Sequence, residues 1–498
     1  MLFNSIDFLA FFPIVVTVYF VIPERVKNVW LLAASYYFYM SWNAKYAVLI
    51  LTSTIITYVS GLVIEKVKGA DLDEGRKKKY LKAAVAGSFI LNLGILFYFK
   101  YINFAFRTLE SLLAVLHISV KMPAFDILLP VGISFYTFQA LSYTMDVYRD
   151  EIYAEKNFLK YALFVSFFPQ LVAGPIERSK NLIRQLSVPK KFDFDNFREG
   201  ILLMVWGYFL KIVLADRIAL FVDTVYKDHA TYGGWYLIVA TVLFAIQIYC
   251  DFGGYSVIAM GAAQILGIKL MENFDAPYIS FSVAQFWKKW HISLTSWFRD
   301  YLYIPLGGNR KGKLRKYINK MIVFLLSGLW HGASVSFVVW GGLNGFYQIA
   351  AEVLMPLRQR ARSALKINTS ALWYKLLQAV GTFILIDLGW VFFRANGARD
   401  ALTIIKQMVT AGNAKILFDG SLYTCGLDLP NFWLMILGIA LLFAADCFKY
   451  KGIRIRETIM RQNYWFRWAF YTVTILAVLV FGIWGPAFDK ASFIYFQF

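Results

Sequence analysis

Apolar runs of about 17 to 25 residues recur along the whole chain and alternate with shorter polar stretches. A helix of this length crosses a hydrocarbon core of roughly 30 Å. The pattern predicts an all-α polytopic membrane protein with about eleven to thirteen transmembrane helices. The runs at residues 104–118 and 131–148 are short or interrupted, which is typical of re-entrant or interfacial helices as well as of spans.

The composition agrees with this fold class, because 59% hydrophobic and 16% charged residues are too apolar a mixture for soluble domains. No linker rich in Pro, Gly or Ser and no internal repeat is visible. We therefore expect one membrane domain over residues 1–498, in which residues 466–498 form a final span and an outer aromatic tail. The first apolar run follows Asp7 rather than lysines, and no small-residue cleavage site succeeds it, so we expect no cleaved signal peptide.

The formal charge of +20 comes from basic clusters in the loops between spans. The positive-inside rule predicts that these loops are cytoplasmic, which places the C-terminus on the outer face. We expect membrane lipid, and no nucleic acid, as a partner of this surface, since the same loops are compatible with contact to anionic lipid. The three cysteines lack the spacing of metal ligands, so neither a metal site nor a disulfide framework is predicted.

His331 stands inside the otherwise apolar residues 321–345. An ionisable side chain at membrane depth is a candidate for function, although a packed histidine bonded to a backbone carbonyl is the alternative. The small residues that follow it, Gly332, Ala333 and Ser334, leave space beside the ring for a substrate. A neutral imidazole, with an ordinary pKa of about 6.5, accepts a proton at physiological pH. His331 is therefore predicted to be a general base.

Two further features interrupt the apolar pattern. Asp251 is a second ionisable residue inside an apolar run and needs a partner, and both a helix–helix interaction and a catalytic role are open for it. Residues 287–303 mix tryptophan and tyrosine with charged residues, as is typical of a membrane interface, and they include His291. The break at residues 305–309 frees backbone groups that must face protein or water.

Five segments carry a resemblance to a known family: PVGISFYTFQ at 130–139, FPQLVAGPI at 168–176, YCDF at 249–252, WHISLTSWFRDY at 290–301 and WHG at 330–332. Together they make the chain resemble the membrane-bound O-acyltransferase (MBOAT) family, in the bacterial branch that contains the alginate O-acetylation membrane subunit. The resemblance implies a ring of helices around a central tunnel in the bacterial cytoplasmic (inner) membrane. It also implies that His331 is the active-site histidine and His291 the second, more variable polar position.

The same resemblance implies a substrate class and partners. Acetyl-CoA would be the acyl donor, with no permanently bound cofactor. The acetyl group would pass to an extracytoplasmic SGNH-type acetyltransferase or a polymer acceptor, for O-acetylation of a cell-envelope or secreted polysaccharide. His291 or Asn309 would donate hydrogen bonds or position the acyl group, and the basic loop that begins at Arg310 and Lys311 would meet the phosphates of coenzyme A. For that loop, membrane topology alone is the alternative explanation.

The aromatic ending FIYFQF at residues 493–498 suits interfacial anchoring. It also resembles the C-terminal motif of the small single-span protein that works with the teichoic-acid D-alanylation acyltransferase, where a tyrosine is proposed to carry the acyl group. A phenol has a pKa of about 10, so its ester stays activated for onward transfer, and Tyr495 is the corresponding candidate acyl carrier. D-alanyl transfer to teichoic acid and, in a different class, a small-solute transporter remain alternative functions.

Overall fold

The computed structural model describes residues 1–484. Within this part of the chain the backbone is helical, and the β pairing consists of one isolated antiparallel bridge between Phe274 and Trp290. The all-α prediction is therefore confirmed. The chain divides into two compact units, Met1–Met204 with Ile258–Met271, and Val205–Val257 with the described residues from Glu272 onward.

The bounds of the α-helices, in chain order, are α1 Ile6–Val21, α2 Lys27–Met40, α3 Tyr46–Gly69, α4 Glu74–Leu96, α5 Ile102–Val115, α6 Ile133–Tyr148, α7 Phe158–Ser166, α8 Phe168–Leu171, α9 Ser179–Leu186, α10 Phe194–Tyr208, α11 Asp216–Lys227, α12 Trp235–Ile265, α13 Val283–Lys289, α14 Ile292–Phe298, α15 Gly312–His331, α16 Val335–Val353, α17 Met355–Ala364, α18 Leu372–Arg394, α19 Ala398–Thr410, α20 Leu429–Tyr450, α21 Ile455–Met460 and α22 Tyr464–Phe481. Short 3-10 turns lie at Glu24–Val26, Ala414–Leu417 and Ser421–Thr424. Three π-helices continue neighbouring α-helices, at Phe97–Tyr101, Phe209–Ala215 and Arg299–Tyr303.

Six helices within residues 1–484 are long and apolar enough to cross a membrane: α3, α4 with α5, α12, α18, α20 and α22. This is fewer than the predicted eleven to thirteen, because other apolar stretches are divided among helices shorter than 18 residues or contain more polar side chains. Of the two ambiguous runs, residues 104–118 lie mainly in α5, which continues α4 through a π-helix. Of residues 131–148, Ile133–Tyr148 form the 16-residue α6, whose side chains are nearly all buried.

Polar side chains join the helices of the first unit. Asn92 of α4 accepts a hydrogen bond from Ser53 of α3 at 2.5 Å, and Tyr161 of α7 donates to Thr57 of α3 at 2.7 Å. These four side chains are buried. Where lipid provides no hydrophobic drive between helices, such bonds contribute to helix association.

In the second unit, α15 and α16 pack together through glycines. A Cβ added to Gly341 of α16 would lie 2.2 Å from the carbonyl oxygen of Phe324 of α15, so the two backbones come close only because a side chain is missing. The hydroxyl of Ser336 donates to the carbonyl oxygen of Phe392, which ties α16 to α18. This packing fixes the carboxyl end of α15, where His331 lies.

Candidate active site

His331 is the last residue of α15 and its side chain is 5% exposed. Aromatic rings surround it, since the ring centroids of Trp330, Trp340 and Phe393 lie 4.9, 5.1 and 5.4 Å from that of its imidazole. Trp340 in turn stacks on Trp390 at 5.7 Å. The expected burial of His331 in apolar surroundings is therefore confirmed.

The glycine that follows His331 has a different role from the one expected. A Cβ added to Gly332 would lie 2.1 Å from the ring of Phe337, and a Cβ added to Gly328 would lie 2.1 Å from the carbonyl oxygen of the same residue. The interpretation that Gly332 leaves space for a substrate is wrong, because the ring of Phe337 fills that space. Both glycines instead permit the close approach of α15 and α16.

His291 joins α13 to α14 in the left-handed backbone conformation, with φ 44° and ψ 55°. For a residue other than glycine this conformation costs about 1–3 kcal/mol and persists only where neighbouring groups hold it. Asn273 holds it here: its carbonyl oxygen accepts from the N–H of Ile292 at 3.0 Å, and its side-chain oxygen accepts from the hydroxyl of Ser293 at 2.6 Å. Such strain is concentrated at functional sites in proteins, which supports a functional role for His291.

The fold brings the two histidines together, as the catalytic interpretation requires. Their ring centroids lie 6.4 Å apart, and Trp330 contacts both rings. Phe252 also packs against His291, with 4.7 Å between centroids. Two hydrogen bonds of about 2.6–3.2 Å each to one shared oxygen fit within the separation of the rings. The separation of the rings is therefore compatible with one substrate oxygen between the two imidazoles.

His291 lies outside the candidate spans and is 1% exposed. Because burial disfavours the charged imidazolium, it lowers the pKa of His291 to about 3. The ring is neutral at pH 7 and has one nitrogen that donates and one that accepts. A neutral donor of this kind is suited to stabilising negative charge that develops on a carbonyl oxygen.

The partner that Asp251 needs is Lys211. The Lys211 Nζ lies 2.5 Å from Oδ1 of Asp251 and 2.8 Å from Oδ1 of Asp216. All three residues are at most 3% exposed. A Cβ on Gly254 would lie 2.9 Å from the backbone nitrogen of Lys211, so this glycine lets α12 approach the π-helix that carries the lysine. Of the two roles that were open for Asp251, the structure favours the interaction between helices.

The same π-helix holds the end of α22. Arg217 donates to the carbonyl oxygen of Val213 and, at 2.9 Å, to that of Phe481, the last residue of α22. The N–H of Ile483 donates to the carbonyl oxygen of Ile212 at 3.0 Å. Only 6% of the apolar window of α22 is buried. The final helix is therefore attached mainly at its carboxyl end.

The expected donor-binding residues 309–311 are exposed and precede α15. Asn319 of α15 donates to the carbonyl oxygen of Gly308 at 3.2 Å, and about 18 Å of helix separates Asn319 from His331. Asn309 is thus beyond hydrogen-bond reach of an acyl group at His331, which removes its expected role there. The exposed basic residues of this loop remain available to the phosphates of a donor.

Asn344 is a site residue that the sequence interpretation missed. Its side-chain oxygen accepts from the indole N–H of Trp287 at 3.1 Å, and its amide donates to the carbonyl oxygen of Trp340 at 2.9 Å. It thereby connects α13, which precedes His291, to the tryptophan that packs on His331. The sequence did contain an indication of this role. Asn344 is a polar residue one helical turn after Trp340, in an apolar run that is otherwise rich in glycine.

Tyr495, the candidate acyl carrier, lies outside the described residues. Within residues 1–484 no group of three or more His, Cys, Asp or Glu side chains is arranged to hold a metal ion.

The proteins that this chain resembles are named for the transfer of acyl groups. A model of the membrane-bound O-acyltransferase family matches residues 149–385, which include both histidines. The probable alginate O-acetylase AlgI of Pseudomonas putida is 33% identical over 511 residues, covering 100% of both chains. The peptidoglycan O-acetyltransferase of Helicobacter pylori is 34% identical over 442 residues, covering 82% of this chain and 80% of the relative. The teichoic acid D-alanyltransferase of Streptococcus thermophilus is 27% identical over 281 residues, covering 53% and 68%.

The apolar helices, the buried histidine pair and these relatives together define an integral membrane O-acyltransferase. The chain belongs to the membrane-bound O-acyltransferase family, because it aligns over its whole length with a relative that is 33% identical. The membership expected from the five sequence segments is confirmed. It assigns acyl transfer, rather than solute transport, to this protein.

Proposed function

We propose that the protein transfers acetyl groups from cytoplasmic acetyl-CoA to an extracytoplasmic acceptor, in the O-acetylation of a cell-envelope or secreted polysaccharide. The observation that carries this proposal is the pair of buried histidines, 6.4 Å apart, formed by His331 at the end of α15 and His291 at the start of α14. Two relatives whose names specify O-acetylation, one of alginate and one of peptidoglycan, support the polysaccharide as acceptor. The acceptor hydroxyl belongs to the polymer, to Tyr495 or to an SGNH-type partner transferase.

In this proposal His331 acts as the general base. Its imidazole takes the proton of the acceptor hydroxyl while the oxygen attacks the thioester carbonyl carbon. The carbon–sulfur bond then breaks, and the imidazolium returns the proton to the leaving thiolate, so that an acetyl ester and coenzyme A are formed. The carbonyl groups at the carboxyl end of α15 favour the positive charge that His331 carries between the two proton transfers.

His291 is proposed to stabilise the oxyanion. As a neutral imidazole held by the strained backbone at the start of α14, it donates a hydrogen bond to the carbonyl oxygen as that oxygen gains charge. General-base catalysis contributes about 10²- to 10⁴-fold and one oxyanion donor about 10²- to 10³-fold. The aromatic rings around both histidines exclude water, which strengthens both effects.

The donor is proposed to approach from the amino end of α15. Arg310 and Lys311 are exposed there, and α15 is roughly 28 Å long. A donor whose phosphates contact this loop must be extended to bring its thioester to His331. Acetyl-CoA has that form, with its thioester at one end and its phosphates at the other.

The proposal is tested with purified protein and acetyl-labelled acetyl-CoA, measuring release of coenzyme A and labelled ester product. We expect H331A to lose about 10²- to 10⁴-fold and H291A about 10²- to 10³-fold of the rate. H117A, at an exposed histidine, is the matched control and should keep the wild-type rate. Equal rates for wild type and H331A would refute the role of His331.

The same assay separates the two acyl groups. With a D-alanyl carrier protein in place of acetyl-CoA, the acetyl-transfer proposal expects no labelled product. Transfer from the carrier protein and none from acetyl-CoA would replace the proposal by D-alanylation, the activity named for the relative from Streptococcus thermophilus.

A further inference from the structure

Helix α17 differs from its neighbours in its surface. It contains ten residues, none of which is buried, and it connects α16 to the membrane-crossing α18. Large apolar side chains at and beside it are exposed, with 57% for Met355, 64% for Leu357 and 71% for Leu365. Exposed apolar side chains gathered at the end of a span indicate contact with lipid or with another protein.

The charge of this region is one-sided. Between residues 301 and 386 the sequence holds a single carboxylate, Glu352, and the following eleven basic residues: Arg310, Lys311, Lys313, Arg315, Lys316, Lys320, Arg358, Arg360, Arg362, Lys366 and Lys375. Lys316 lies 2.5 Å from Glu352, and Lys320 also pairs with it. Within residues 1–484, no carboxylate forms an ion pair with Arg358 or Arg360.

Two of the three arginines border the apolar side of α17. At about 100° per residue, Leu357, Ala361 and Ala364 project within about 60° of one another. Arg360 follows at about 40° on one side of this face and Arg358 at about 60° on the other. Long arginine side chains in such positions cover apolar surface with their stems and carry the guanidinium to water. This is the pattern of a helix that lies in the membrane surface.

The start of α18 continues the same surface. Leu372 and Trp373 are 72% and 56% exposed, and tryptophan is enriched at the level of lipid headgroups. Arg362 stacks over Tyr374 at 5.2 Å, which fixes one of the three arginines at the junction of α17 and α18.

We infer that α17 is a binding surface for anionic phospholipid. Its apolar face lies against the acyl chains, and the guanidinium groups of Arg358, Arg360 and Arg362 bind the phosphate groups of lipids such as phosphatidylglycerol. The charge favours this occupant over a protein partner of mixed charge, since guanidinium groups without carboxylates bind phosphate bidentately. The inference is independent of the acyl donor and acceptor.

The test uses the full-length protein in nanodiscs of phosphatidylcholine with increasing phosphatidylglycerol. Native mass spectrometry measures how many anionic lipids stay bound after release from the disc. R358Q/R360Q/R362Q should weaken phosphatidylglycerol retention by about fivefold per arginine, or roughly 100-fold. The control K227Q/K406Q/K415Q removes three exposed positive charges that lie outside the basic loop clusters, and it should retain phosphatidylglycerol as the wild type does.

Three outcomes would overturn the inference. The first is an equal loss of lipid in the arginine and lysine variants, which would mean that net charge alone acts. The second is wild-type lipid retention in the arginine variant. The third is displacement of the lipid by coenzyme A or inorganic phosphate, which would mean that the arginines bind a soluble phosphate. L357N keeps all three arginines and changes only the apolar face. Reduced lipid retention in this variant would therefore support insertion of that face into the membrane.

Discussion

Replacing Lys211 by methionine removes the cation between Asp216 and Asp251 while keeping a side chain of similar length. Both carboxylates are at most 2% exposed and would be left without the charge that lies 2.5 and 2.8 Å away. Breaking a buried ion pair by removal of one partner costs about 3–5 kcal/mol. Uptake of a proton by one carboxylate limits the loss, so we expect a decrease of about 3–5 kcal/mol in the free energy of unfolding rather than twice that amount.

The assay is unfolding of the detergent-solubilised protein, followed by tryptophan fluorescence. K180M is the control, because Lys180 and Glu151 form a pair that is 58% and 37% exposed, and its loss should change stability by about 0–1 kcal/mol. The triple variant K211M/D216N/D251N should recover most of the loss, since it leaves no buried charge unpaired. A change in K211M no larger than in K180M would refute the argument.

Three further predictions follow from the site. G328A should lower stability by about 1–3 kcal/mol, because its Cβ would meet the carbonyl oxygen of Phe337 at 2.1 Å, whereas G342A, whose nearest contact is 3.5 Å away, should change stability by about 0.5 kcal/mol at most. The pKa of His291 is about 3 in the folded protein and about 6.5 in the unfolded chain, so the unfolded chain takes up a proton first on acidification. The free energy of unfolding should therefore fall by about 2 kcal/mol from pH 7 to pH 5. H291Q should lose that part of the pH dependence, and an identical slope in both proteins would contradict the assignment. Y495F cannot form a phenolic ester, so polymer acetylation should fall to background while the wild type shows an acetyl adduct on Tyr495 by mass spectrometry; unchanged acetylation would exclude the carrier role.

The sequence predicted the helical membrane fold, the family and the burial of His331, because each of these depends on local pattern. An apolar run that contains one imidazole is visible without any tertiary information. The need of Asp251 for a partner was predictable for the same reason. The identity of that partner was not predictable. Lys211 lies forty positions earlier in a π-helix, and no local sequence pattern indicates that it contacts Asp251.

The errors arose where tertiary packing decides. Apolar runs do not place the ends of helices, and residues 131–148, for example, contain the 16-residue α6 rather than a helix of full spanning length. The small size of Gly332 was taken for open space, yet the ring of Phe337 occupies it. The resemblance led us to expect Asn309 beside the acyl group, and the length of α15 separates it from His331.

The attachment of α22 has a consequence for how the chain tolerates change. Because α22 buries only 6% of its apolar window, we expect that its removal would leave the packing of the preceding helices unchanged. Insertions in the exposed turn at residues 461–463 shift its start and leave its end in place. Substitution of Arg217 acts at that end, because this side chain bonds the last carbonyl of the helix. A family that keeps this helix is therefore expected to vary in the turn and to retain a donor at the position of Arg217.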